Sequence, residues 1–159
     1  TAYHSVMQYL HFTETKDEIR ALIDRLVADK IMPADLKQYI VVDEIFAAKE
    51  TLKDLILDAD QVYKEKQFVM QENYNKLIKN SDNNTKVIIQ GIIDLVVVKD
   101  GKSMLIDYKT NRTRNEQELI NNYSLQLQIY KIAFEKATNL KIDSIFLYSF
   151  YLNKLIEIK

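Results

Sequence analysis

Apolar residues in the first third of the chain recur at helical spacing. Tyr3, Val6, Met7 and Leu10 share one side of a first helix, and Ile19, Leu22, Ile23, Leu26 and Val27 share one side of a second. The second opens at Thr15 with Glu18 three residues on, the pattern of a capping box. Pro33 starts a short helix over 34–39, and 42–58 carries one or two more. Residues 1–60 are therefore expected to be mainly helical, a cap or wall for the rest of the chain.

From Val62 the period shortens. Residues 63–70 alternate loosely and predict a strand, and 79–85 is a polar loop of Asn, Ser and Asp. Residues 86–98 and 103–108 are rich in β-branched side chains and are joined through Lys99-Asp100-Gly101-Lys102, a hairpin signal. Both runs are apolar on both faces, which places them in the middle of a sheet. A helix is predicted over 115–137, a buried strand over 145–151, and a hairpin partner at 155–158 after an Asn153-Lys154 turn. The fold class is α/β: a mixed central β-sheet flanked by helices, with an N-terminal helical region (1–60) and an α/β core (61–159) in a single domain.

The central hairpin carries the chemistry. With Asp100 and Gly101 as the two turn residues, Lys99 lies opposite Lys102, and counting back sets Asp94 opposite Asp107. Lys109 shares the face of Asp107 because strand side chains alternate. Opposed Cβ atoms are only ~5 Å apart, and like charges there destabilise the ladder. A hard divalent cation such as Mg²⁺ offsets them, since it takes carboxylate oxygens, keeps waters and accepts phosphate oxygens. Lys109 could then orient or help deprotonate an attacking water. The competing reading is an ordinary one, in which Asp94 and Asp107 are strand-end carboxylates and Lys109 is their ion-pair partner; spacing alone leaves both open.

Composition narrows the field. The chain has 159 residues, 47% apolar, with a formal charge of -1, so no global positive field draws in nucleic acid and any contact is local. No cysteine is present, which removes disulfides, thiolate zinc sites, thiol nucleophiles and iron–sulfur clusters. The two glycines, Gly91 and Gly101, cannot build a P-loop or a dinucleotide fingerprint, so no ATP site is expected here. No membrane span or export signal is visible, which fits the cytoplasm. The chain starts at Thr1 and not at Met, as expected for a piece of something longer.

Gly91-Ile92-Ile93-Asp94-Leu95-Val96 followed by Leu105-Ile106-Asp107-Tyr108-Lys109-Thr110-Asn111-Arg112 resembles the two core motifs of the PD-(D/E)xK nucleases, in the form used by the RecB and AddA branch. Residues 3–7 resemble that branch's N-terminal histidine motif, and residues 123–130 its Gln-x-x-x-Tyr helix. The order and approximate separations agree over nearly the whole chain. Ile93 stands where the superfamily name has proline.

The resemblance implies that Asp94 and Asp107 ligate the metal, with His4 and the backbone carbonyl of Tyr108 as further ligands. Lys109 would serve the water and the scissile phosphate, completing a catalytic set of Asp94, Asp107 and Lys109. Gln126 and Tyr130, one helical turn apart, would position DNA or the catalytic strands, and Arg112 is the best candidate among nearby bases for a phosphate contact. Read singly, His4 is a helix histidine, Gln126 a solvated side chain, Tyr130 a core aromatic and Arg112 a surface base. The implied activity is that of a Mg²⁺-dependent DNA exonuclease hydrolysing phosphodiesters, with Mn²⁺ able to substitute. Lack of the four-cysteine cluster of AddB-type relatives favours the AddA type, part of a bacterial helicase-nuclease that works on broken DNA ends. The implied partners are single strands from unwound duplex ends, the helicase part of the same polypeptide and an AddB-type subunit. Two other readings are a stand-alone endonuclease or resolvase, and a catalytically silent DNA-binding scaffold.

Overall fold

The computed structural model describes residues 1–159. The helical N-terminal third forms as the periodicity requires. Helix α1 (Ala2–Tyr9) is capped by the Thr1 hydroxyl, which accepts from the His4 N–H. Helix α2 (Lys16–Ala28) begins with the expected box, Thr15 and Glu18 each accepting the other's backbone N–H. The segment after Pro33 (Ala34–Tyr39) winds as a 3-10 helix, and the next stretch is one continuous helix, α3 (Val42–Leu57).

Five strands complete the fold: β1 (Gln61–Asn73), β2 (Lys86–Lys99), β3 (Lys102–Lys109), β4 (Ser144–Ser149) and β5 (Lys154–Ile158). A one-turn helix α4 (Tyr74–Leu77), which periodicity did not indicate, interrupts the link from β1 to β2, and α5 (Glu116–Thr138) connects β3 to β4. The sheet order is β1-β2-β3-β4-β5. Only β3 and β4 run parallel, so the long α5 crossover is the connection that a parallel pair demands. The β2–β3 turn has positive φ at both Asp100 (50°) and Gly101 (75°), as a two-residue hairpin loop needs.

Helices cover both faces. On one, α1, α2 and α3 pack Met7, Leu26 and Leu52 with Leu95, Val97, Ile106 and Tyr148. On the other, Leu127 and Phe134 of α5 pack with Phe68, Ile93, Val96, Leu105 and Leu147. The expectation of central strands apolar on both faces holds for β3 and the second half of β2. The first half of β2 extends outward with β1 as a two-stranded arm, leaving Ile88 73% and Ile92 43% exposed.

The two clusters reveal a slip in the alternation. Along β2, Ile93 faces α5, yet so does Val96, three residues on; along β1, Phe68 and Tyr63 share that face across an odd interval. The ladder passes from Lys64–Leu95 to Lys66–Ile93 without pairing the rung between them, Glu65 and Asp94, and Glu65 has φ 50°. Both strands therefore exchange faces at this rung, a local irregularity of the kind that re-aims side chains beside active sites.

Close packing of α5 against the arm depends on Gly91, where an added Cβ would lie 2.8 Å from Phe68 Cζ and 3.0 Å from the Tyr130 hydroxyl. Because Phe68 is buried and cannot swing into solvent, Gly91→Ala is expected to destabilise the fold by about 1–3 kcal/mol through overpacking. Urea unfolding checks this; a midpoint equal to that of the parent chain would contradict it.

Candidate active site

Antiparallel pairing of β2 and β3 follows the counted register from Lys99–Lys102 to Leu95–Ile106 and then stops. The next rung would be Asp94 against Asp107. There the carboxylate of Asp94 enters the ladder itself, its Oδ2 accepting the Tyr108 backbone N–H at 2.7 Å. His4 Nε2, brought by α1, lies 3.2 Å from the same oxygen. Thr1 Oγ1 sits 2.6 Å from His4 Nδ1 and fixes the other side of the imidazole. Asp94 is buried, and its hydrogen bonds are what make that tolerable.

Asp107 is less well served. Lys109 Nζ approaches its Oδ2 at 2.8 Å, an ion pair by distance. The approach angle is poor, so the same oxygen is buried with no hydrogen bond of acceptable geometry. Burial, and then the Asp94 charge, push the Asp107 carboxyl up to about 6, with Lys109 and His4 pulling the other way. Lys109 itself is held by the face of Tyr123, whose centroid is 4.0 Å from Nζ. The Tyr123 hydroxyl is in turn exchanging hydrogen bonds with Asn111 at 3.0 and 3.2 Å.

A third acid belongs here, one that the sequence pattern did not mark. Glu65, at the unpaired rung, has a buried Oε1 without a partner, and its carboxyl is raised by burial and by the charge of Asp94. The available signal was one acidic residue inside the alternating stretch 63–70, which is commonplace in an edge strand. Only the register that places it beside Asp94 gives it meaning.

The structure thus brings His4 to Asp94 and Lys109 to Asp107, with the two acids close enough for the Asp94 charge to raise the Asp107 carboxyl. Tyr108 contributes its N–H to Asp94. Gln126 and Tyr130 touch one another at 3.4 Å on α5, and burial, followed by the Asp107 charge, raises the Tyr130 phenol. Arg112 lies apart: its guanidinium is 3.3 Å from Glu44 Oε1, in a neighbouring cleft.

His, Asp and Glu side chains do not converge into a ready cage of three or more metal ligands, and Asp107 turns to Lys109 instead. The donor set nonetheless fits a hard divalent cation by its chemistry. Two acids are confined together, a third stands beside them, and two buried carboxylate oxygens lack hydrogen-bond donors.

The sheet thus has helices on both faces, and two acids and a lysine where its central strands part. The family model described as the PD-(D/E)XK nuclease superfamily matches residues 1–156. The chain belongs to that superfamily. It is 38% identical over 170 residues to the A-subunit of the ATP-dependent helicase/nuclease of Staphylococcus saprophyticus, covering 98% of this chain and 14% of that protein. The protein of the same name from Staphylococcus aureus strain JH9 is 34% identical over 163 residues, covering 94% of this chain and 13% of that protein. The chain therefore spans about one seventh of these relatives' length. The crystal structure of SSO0001 superposes with a TM-score of 0.47 at 17% identity, covering 89% of this chain and 59% of that one.

Linkage turns the Asp107 shift into a test. An acid whose folded pKa (about 6) exceeds its ordinary value of 3.8 binds more protons when folded. The stability it allows is fully present below the ordinary value and is lost as pH rises through about 6. In chelator, Asp107→Asn should therefore gain stability over the parent chain between pH 4 and pH 7, by on the order of 2–3 kcal/mol. Urea unfolding at both pH values checks the trend; a difference that stays flat or shrinks with pH would contradict it.

Proposed function

We propose that this chain is the Mg²⁺-dependent deoxyribonuclease domain of an AddA-type helicase-nuclease, hydrolysing phosphodiester bonds of DNA. The observation that carries the reading is the buried pair Asp94 and Asp107 with Lys109 at 2.8 Å, on strands that part at that point. Membership of the nuclease superfamily and the names of the relatives support it.

Asp94 and Asp107 are the residues that would hold the ion, with His4 and the Tyr108 carbonyl beside them and Glu65 within the same electrostatic field. When bound, a divalent cation supplies a water of lowered pKa and neutralises charge building on the phosphate. The protein's own groups do the rest. Lys109, restrained by Asp107 and the Tyr123 face, presents an ammonium to the scissile phosphate and orients the attacking water. His4 and the Tyr108 N–H fix the Asp94 carboxylate so that little reorganisation is needed on substrate binding. Tyr130 and Gln126 form a polar edge facing the acids from α5.

A chain of charge -1 has little non-specific affinity for DNA. Delivery of substrate is accordingly assigned to the rest of the polypeptide, a helicase part that unwinds duplex ends, and to an AddB-type partner. The corresponding biological setting is resection of double-strand breaks during recombinational repair in the bacterial cytoplasm. Cutting confined to free ends or single strands separates this reading from a site-specific endonuclease.

The test is hydrolysis of end-labelled single-stranded DNA, with closed circular duplex as comparison, in millimolar Mg²⁺ or Mn²⁺. Cleavage of the single strand alone is expected, with a loss of about two orders of magnitude or more in Lys109→Ala and Asp107→Ala. Calorimetric titration of Mn²⁺ should give a binding isotherm that Asp107→Ala abolishes. Identical isotherms, or undiminished cutting by either variant, would overturn the assignment.

A further inference from the structure

The Lys109 ammonium has two neighbours of different kinds. One is the Asp107 carboxylate, 2.8 Å from Nζ, and no other acid lies within ion-pair distance of it. The other is the face of Tyr123, whose ring centroid is 4.0 Å from Nζ, well inside the range of about 6 Å over which a ring attracts a cation. The Lys109 side chain is only 16% exposed, and loss of water strengthens that attraction.

The ring is itself held by the segment that carries the lysine. Asn111, just beyond Lys109 in the chain, exchanges hydrogen bonds with the Tyr123 hydroxyl at 3.0 and 3.2 Å. The end of β3 and the residues after it therefore grip one tyrosine at two points, with the ammonium on its face and the amide at its hydroxyl. The Lys109 backbone is fixed as well, its carbonyl accepting the Phe150 N–H at 3.2 Å. What stays free to reorient is the flexible side-chain stem, which has many rotamers.

The two restraints respond differently to a divalent cation. A hard ion takes oxygen ligands, so an ion at Asp107 competes with Lys109 for the same carboxylate and repels its ammonium. The Tyr123 ring face offers that ion no oxygen and remains available to the lysine. We propose that Tyr123 is a positioning residue: its ring keeps the Lys109 ammonium aimed at the scissile phosphate once a cation has taken Asp107, and Asn111 holds the ring in place. The proposal rests on the nuclease reading. Under it, the Asp107–Lys109 ion pair belongs to the metal-free protein, whereas the Tyr123–Lys109 contact persists in the loaded one.

Ring currents give a readout that does not depend on cleavage. In protein carrying isotope-labelled lysine, the NMR signal of the Lys109 ε-methylene, assigned by its loss in Lys109→Ala, should lie upfield of the ordinary lysine position in chelator. It should stay there when Mg²⁺ is added to the saturating level found by calorimetry, and it should return to the ordinary position in Tyr123→Leu. That variant should bind Mg²⁺ as the parent chain does and keep its KM for single-stranded DNA, yet lose kcat by about five- to thirty-fold, the effect of removing a desolvated cation–π contact. Tyr123→Phe, which keeps the ring, should recover most of the loss. A tyrosine with only a packing role would instead lower the urea midpoint and leave kcat unchanged. A Lys109 signal that moves to the ordinary position on addition of Mg²⁺, or an undiminished kcat in Tyr123→Leu, would overturn the positioning role. The first of these is measured on the parent chain, so it decides the matter even if the leucine variant misfolds. Failure of the nuclease reading is separately visible, as a parent chain that neither binds Mg²⁺ nor cleaves DNA, and it takes this proposal with it.

Discussion

Two carboxylates confined where a β-ladder ends set the terms for the rest of this molecule. Asp94 is accommodated because its Oδ2 takes over an acceptor's place in the ladder, bonding the Tyr108 N–H, and because His4 reaches the same atom. Asp107 has no equivalent arrangement: one oxygen is buried with only a badly angled ammonium for company. Removing a charge from water without full compensation costs several kcal/mol. A fold retains such a feature when the stored electrostatic tension has a use, and the proposed hold on a cation and a phosphate would supply one.

The surrounding architecture supports that pair. The slip at Glu65 and Asp94 exchanges the faces of β1 and β2 and adds a third acid. Gly91 lets Phe68 and the Tyr130 hydroxyl approach the strand closely, which keeps α5 over the acids. Tyr123, from the same helix, fixes Lys109 by its ring face and is itself tied to Asn111. On the other face, α1 is locked into a cluster with α2 and α3, so packing of Tyr3, Val6 and Met7 sets the position of His4. Two cores therefore converge on one line of polar atoms, one core from each side of the sheet.

Membership of the nuclease superfamily agrees with this arrangement. A domain with acids and bases nearly balanced has no net field to draw in a polyanion at long range, so any such contact is local.

Much of this was legible in the chain. Helical spacing in the first third, the capping box at Thr15 and the two-residue turn at Asp100-Gly101 are local signals, and local signals need only a few neighbouring residues to act. The turn fixed the hairpin register as far as Leu95 and Ile106, and so brought Asp94 and Asp107 to the end of the ladder, because counting along paired strands carries information outward from the loop. Distant relations were beyond that reach. Periodicity did not reveal the one-turn α4 or the face exchange at the Glu65 rung, and it gave no reason to single out Glu65 itself. Arg112, the base singled out for a phosphate contact, pairs with Glu44, a partner 68 positions away. These features arise where segments far apart in sequence compete for the same space and the same charges, so only the packed chain could decide them.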